Sequence, residues 1–332
     1  MLPLPSRGAD MRRREFLGVL GGAVAWPEVA GAKPVLVIGL LSSGAQDAYA
    51  NFMAAFRRGL SEAGFAEGRN IAIESRWADG QFERLPALAA DLVNQQVAVM
   101  VATGLSSALA AKAASSTIPL VFLGADDPVR FGLVASLSHP GGSATGINVL
   151  TSELTSKRLA LLRELGPQAR TVAVLMNPSS PEASLQLRDL QSAASAIGQP
   201  VAIINASNEQ EFVAAFTAAK QQAGVLIVSN DPFFYSRRDQ LVALAAQHHM
   251  PTIYDRREYA ASGGLISYGT HYLDAYRLLG GYTARILSGT KPADLPVEQV
   301  SRFELVINLK TAKTLGLAIP QTLLVTADEV IE

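Results

Sequence analysis

From Lys33 onward, short runs of β-branched and aliphatic residues alternate with longer Ala- and Leu-rich stretches of helical period. That alternation predicts repeated strand–helix units on parallel sheets. In the first half, Val35–Leu41, Ile71–Ser75, Val97–Ala102 and Leu120–Leu123 read as strands, with helices around Ala48–Ala63, Phe82–Gln95 and Ser106–Ala114. In the first of these helices Phe52, Phe56 and Leu60 recur at one-turn spacing, which places them on one face. A Pro/Gly-rich passage, His139–Ser143, interrupts the series and is the best boundary candidate, after which Thr145–Val149 leads into a second series. Its strands are Val172–Met176, Val201–Ile204, Val225–Val228, Thr252–Tyr254 and Gly264–Ser267, and its helices Pro181–Ile197, Glu209–Gln221 and Arg237–His248. A helix Asp274–Leu287, a loop at Lys291-Pro292 and a strand Phe303–Ile307 complete the chain. Two similar α/β halves imply two lobes with a cleft between them.

Composition sharpens this picture. Apolar residues make up 49% and charged residues 17% of the 332 residues, the balance expected when many strands are covered on both faces. The chain has no cysteine, which excludes disulfides, thiolate catalysis and Cys-ligated metal. A net charge of −1 offers nothing to attract nucleic acid or an anionic membrane.

The start of the chain reads as an address. Arg12-Arg13-Arg14-Glu15-Phe16-Leu17 is a basic region, Leu17–Trp26 an apolar one, and Ala30-Gly31-Ala32 a small-x-small cleavage site. The paired arginines followed by x-Phe-Leu are of the twin-arginine type. Residues 1–32 are therefore expected to be a cleavable export signal, with Met11 a second candidate for the true start. A membrane anchor is the alternative, but Phe16–Trp26 falls short of the ~20 residues that span a bilayer. Cleavage after Ala32 removes four Arg together with Asp10, Glu15 and Glu28, and leaves a charge of −2.

In open α/β sheets, ligands bind beyond the carboxyl ends of the strands, where helix N-termini offer free N–H groups. The residues in those places are Ser42-Ser43, Thr103-Gly104 with Ser106-Ser107, Asp126-Asp127, Asn177, Asn205, Asn230-Asp231, Tyr254-Asp255 and Ser267-Tyr268. Each Ser, Asn or Asp among them has a competing role as a helix cap or turn former. The functional reading rests on their convergence. Thr103-Gly104 and Ser106 suit a carboxylate at a helix N-terminus. Asp127 and Asp231 suit an ammonium group. Tyr235, Tyr254 and Tyr268 suit an apolar or aromatic side chain. Together they fit an α-amino acid.

The usual catalytic signatures are missing. No two glycines stand one residue apart, so there is no dinucleotide fingerprint, and there is no phosphate-binding loop or G-x-S-x-G elbow. Of the four histidines, His139, His248, His249 and His271, the adjacent pair diverges by about 100° on a helix and cannot share a metal. No enzyme, cofactor or metal is expected.

The chain resembles the solute-binding proteins of ATP-binding-cassette uptake systems, specifically the tryptophan/tyrosine-type group. The resemblance is carried by Arg13-Arg14-Glu15-Phe16-Leu17, Ile38–Ser43, Glu67-Gly68-Arg69-Asn70, Leu85–Ala89, Asp126-Asp127-Pro128-Val129, Asp231-Pro232-Phe233-Phe234, Arg237–Leu241, Gly263–Gly269 and Phe303–Asn308. It implies a type I periplasmic binding fold: α/β, with two doubly wound parallel-sheet lobes joined by three crossings. Lobe 1 would be residues 33–149 plus 271–290, and lobe 2 residues 150–270 plus 291–332, with crossings near Val149, Gly269 and Lys291. Ligand contacts would come from Ser42, Ser43, Thr103, Ser106, Asp127, Asn230, Asp231, Tyr254 and Ser267. Relatives often carry T-G-G-x-P where this chain has Thr103-Gly104-Leu105-Ser106-Ser107. The implied role is that of a periplasmic monomer that captures a small solute by hinge closure and delivers it to a permease and ATPase. A sensor module docking to a membrane receptor, or an exported enzyme on the same scaffold, are the alternatives.

Overall fold

The computed structural model describes residues 35–124, 127–149, 152–165 and 169–332. The export signal and Asp126 lie outside the described residues. The chain from Val35 to Glu332 forms one compact unit built on two sheets.

The first sheet has six strands: β1 (Leu36–Ser42), β2 (Ile71–Trp77), β3 (Val99–Thr103), β4 (Leu120–Gly124), β5 (Ala144–Val149) and β11 (Glu298–Val300), in the order β11-β5-β4-β3-β1-β2, all parallel. Side chains of a strand alternate between faces, and here both faces are buried. Ile38, Leu40, Val99, Val101, Val121, Leu123 and Ile147 pack against α1 (Ala50–Glu62) and α10 (Tyr272–Leu287). Leu41, Met100, Ala102, Leu120 and Phe122 pack against α2 (Leu85–Asn94) and α3 (Leu105–Ala114).

The second sheet has seven strands: β6 (Val172–Met176), β7 (Val201–Asn205), β8 (Val225–Val228), β9 (Thr252–Tyr254), β10 (Ile266–Thr270), β12 (Phe303–Asn308) and β13 (Glu329–Ile331), in the order β13-β12-β10-β9-β8-β6-β7. Only β10 and β12 run antiparallel to each other. One face meets α6 (Phe212–Gln222) and α8 (Arg238–Gln247), and the other meets α4 (Ser152–Leu165), α5 (Ala183–Ala196), α11 (Leu309–Thr314) and α12 (Gln321–Thr326). Two short helices, α7 (Pro232–Ser236) and α9 (Arg257–Ala261), follow β8 and β9.

Two expectations are corrected. His139–Ser143 does not separate the sheets, because β5 follows it and pairs with β4 in the first sheet. The stretch from Lys291 does not enter the second sheet either. Thr145 Oγ1 donates to Leu295 O at 2.6 Å, Val297 N to Leu137 O at 2.7 Å, and β11 pairs in parallel with β5. The third passage between sheets therefore falls at Ser301-Arg302, joining β11 to β12. The first lies between β5 and α4, and the second between β10 and α10.

Candidate functional site

In each sheet, one early strand is flanked on both sides by the strands that follow it: β1 by β2 and β3, β6 by β7 and β8. The helices leaving such a strand and its neighbour diverge to opposite faces, opening a crevice at the strand ends. The two crevices face each other across the lobes. Between them is a pocket of about 450 Å³ of empty space. Thr103, Gly104, Leu105, Tyr49, Tyr272 and Tyr276 line it from the first lobe, and Glu182, Asn230, Pro232 and Arg256 from the second.

Arg256 is the charge at its centre. It stands two residues beyond β9 as the residue capping α9, and is 4% exposed. Its Nε and Nη2 donate to Asp255 Oδ2 at 2.9 and 2.7 Å, and its guanidinium lies 4.4 Å from the ring centre of Tyr235 and 4.2 Å from that of Tyr272. Two aromatic faces and a carboxylate compensate a cation removed from water. Its Nη1 has no hydrogen-bond partner among the described residues. Burial holds the phenols of Tyr49, Tyr272 and Tyr276 above their ordinary titration range, so they face the pocket as neutral hydroxyls. Asn230 Nδ2 donates to Tyr272 Oη at 3.1 Å, a bond from one lobe to the other.

Gly104 takes φ +92° so that the chain turns from β3 straight into α3. The N-terminus of that helix is already occupied. Ser106 N and Oγ both donate to Glu182 Oε1, at 3.2 and 3.1 Å, across the cleft. Burial, and then the charge of Asp231, push the Glu182 carboxyl upward from the usual range. The lobes are further joined by Ala45 N donating to Ser236 Oγ at 3.1 Å and by the Phe52 and Tyr235 rings stacked at 5.6 Å.

Of the residues expected from sequence, Thr103, Gly104 and Asn230 line the pocket and Ser106 adjoins it through Glu182. Thr103 Oγ1 is buried without a hydrogen-bond partner among the described residues. The others do not line the pocket. Ser42 Oγ accepts from Gly44 N at 3.2 Å in a local turn, whereas Ser43 O accepts from Gly80 N at 2.7 Å in the loop after β2, and Ser43 Oγ lies beside Gly104 at the pocket edge. Asp127 is exposed and accepts from Val129 N and Arg130 N. Asp231 caps α7 through Phe234 N at 3.0 Å and accepts from Asn177 Nδ2 at 3.2 Å, and burial lifts its carboxyl to about 6. Tyr254 stacks on Tyr259 at 4.5 Å inside the second lobe. Ser267 is fully buried in β10, and Tyr268 packs near Phe303 and lines a different surface groove. Arg256, Glu182, Tyr49, Tyr272 and Tyr276 were not singled out from sequence. The i,i+4 spacing of Tyr272 and Tyr276 was the available signal.

Residues 36–331 match the model of a family described as ABC transporter substrate binding protein. A tyrosine-binding protein of Clostridioides difficile strain R20291 is 28% identical over 264 residues, 79% of this chain and 75% of that protein. A Streptococcus pneumonia ABC domain in complex with L-Trp superposes with a TM-score of 0.80 at 23% identity, covering 89% of this chain and 99% of that one. The ligand-free, open structure of a Clostridium difficile substrate binding protein with adhesive properties gives 0.64 at 25% identity, covering 90% and 99%.

Proposed function

Because the chain belongs to the ABC transporter substrate-binding protein family, we propose that it captures an α-amino acid between its lobes and delivers it to a membrane permease driven by an ATPase. The observation that carries this reading is Arg256, a buried guanidinium whose Nη1 is unbonded among the described residues, in a pocket walled by three neutral tyrosines. A ligand carboxylate on Nη1 gains a charge-assisted bond in a site shielded from water. Glu182 and Asn230 offer acceptor oxygens to the ammonium group, and Tyr49, Tyr272 and Tyr276 surround an aromatic or branched apolar side chain. This differs from the seat first expected. At that seat, the α3 N-terminus, Ser106 N already donates to Glu182 Oε1.

The tyrosine- and tryptophan-binding relatives support an aromatic ligand. In this role the protein does no chemistry, and closure is the signal that a permease reads. The function requires export, for which Arg13-Arg14 and Ala30-Gly31-Ala32 are suited.

A thermal-shift screen of the mature chain against the twenty amino acids tests the ligand class. Ligands that bind only the folded state raise the melting temperature, and L-tyrosine, L-tryptophan or L-phenylalanine is expected to give the largest rise. Silence across all twenty would overturn the assignment.

A further inference from the structure

A second cavity lies in the second lobe, between α4, α5 and the sheet face of β6 and β8, with Asn230 shared between it and the interlobe pocket. Its empty space, about 530 Å³, includes solvent at an open mouth. Spacing of three and four residues brings Thr155 and Arg158 onto one face of α4, and Gln186, Asp189 and Leu190 onto one face of α5. Val174, Met176, Leu190 and Ile227 make its apolar walls; Ser229 and Asn230 close its end.

Its charges are what distinguish it from a packing defect. Arg158 is 4% exposed, and its only described hydrogen bond runs from Nε to Tyr268 O at 2.8 Å. That bond fixes the side chain and leaves both terminal nitrogens unbonded among the described residues. Asp255, the main attractive charge in its surroundings, is hydrogen-bonded to Arg256 instead. A buried guanidinium without a paired carboxylate among the described residues is costly, and a ligand anion would offset that cost. Asp189 lines the same cavity and is in no ion pair with Arg158 or any other described residue.

We propose that this cavity is a second binding site for a small aliphatic α-amino acid. Its carboxylate meets Arg158, its ammonium meets Asp189, and its side chain lies against Val174, Met176, Leu190 and Ile227. Opposite charges that face one cavity without touching each other are bridged by a ligand of opposed polarity, and a zwitterion is the smallest that fits. A multiply charged anion is disfavoured by Asp189, and no aromatic ring lines the cavity. The cavity shares Asn230 with the interlobe pocket, so the two sites are told apart through residues that line only one of them.

Isothermal titration of the mature chain with L-leucine, isovalerate and 3-methylbutylamine tests it. L-leucine is expected to bind, and the two analogues, each lacking one charge, at least tenfold more weakly. Arg158→Met should weaken L-leucine at least tenfold. Thr155→Phe, at a half-buried position that fills the cavity without removing a charge, should do the same should the first variant fail to fold. L-leucine binding that is absent from the unaltered protein, or unchanged in Thr155→Phe, overturns the inference. The second result would place L-leucine between the lobes and leave the proposed function standing. Failure of L-tyrosine alongside Arg158-dependent L-leucine binding would overturn the aromatic assignment and leave the second site standing.

Discussion

At the scale of single residues, the site depends on groups whose charge is compensated from several directions. Arg256 shares its burial with Asp255, Tyr235 and Tyr272, contributed by both lobes. Removing one partner of such a pair leaves the other buried and unpaired, at a cost of about 3–5 kcal/mol. Arg256→Gln is accordingly expected to lower unfolding stability by about 3 kcal/mol in urea titrations, and to abolish ligand-induced stabilisation. An unchanged midpoint would remove Arg256 from the centre of the site. Thr103, Gly104 and Asn230 were legible in the sequence because they follow strands, where the fold class alone puts ligands. Ser42, Asp127 and Asp231 share that placement, yet each is engaged in a turn or a cap, as their side-chain chemistry equally allowed. Glu182 and Arg256 were not legible, since their role exists only once the two lobes meet.

At the scale of elements, the crossing of α1 and α10 shows how tightly glycine sets a helix pair. A Cβ on Gly59 would stand 2.0 Å from Arg277 O, and one on Gly280 2.2 Å from Phe56 O. The neighbouring Gly281 has nothing within 4 Å of that position. Adjacent substitutions in one helix should therefore differ in sign. Gly280→Ala must push backbones apart and is expected to cost about 1–3 kcal/mol, whereas Gly281→Ala gains up to about 1 kcal/mol of helix propensity. Parallel thermal melts check this, and equal effects would contradict the close crossing. Most strands were legible because apolar runs covered on both faces leave a continuous signal. Several short or mixed elements were not read, α4 and β11 among them. The α4 segment mixes its buried Leu154, Leu159 and Leu162 with Lys157, Arg158, Arg163 and Glu164 just after the boundary passage. The three-residue β11, Glu298-Gln299-Val300, is polar because it pairs on one side only, at the sheet edge.

At the scale of the whole molecule, closure and burial leave a pH signature. Burial raises the carboxyls of Asp231 to about 6 and Glu304 to about 7, and shifts Glu182 in the same direction. The unfolded chain releases those protons at ordinary carboxylate values, near ~4. The folded state thus holds more protons between about pH 4 and 7, and its stability from these groups is present at the acidic end and lost as pH rises. Melting temperature is expected to be higher at pH 5 than at pH 8, with Glu304→Gln narrowing the gap by stabilising the protein at pH 8. A flat profile would contradict the buried-acid reading.

The bond from Ser106 to Glu182 also bears on how fast a solute can enter. It joins the lobes through the protein's own side chains, and it favours the shut arrangement whether or not the cleft is filled. A solute must then wait for the lobes to part, which makes opening a first-order gate in series with encounter. In stopped-flow fluorescence, the observed rate should level off with rising solute concentration, and Glu182→Ala should lift the plateau. The same contact that shapes the pocket thereby sets the tempo of its loading.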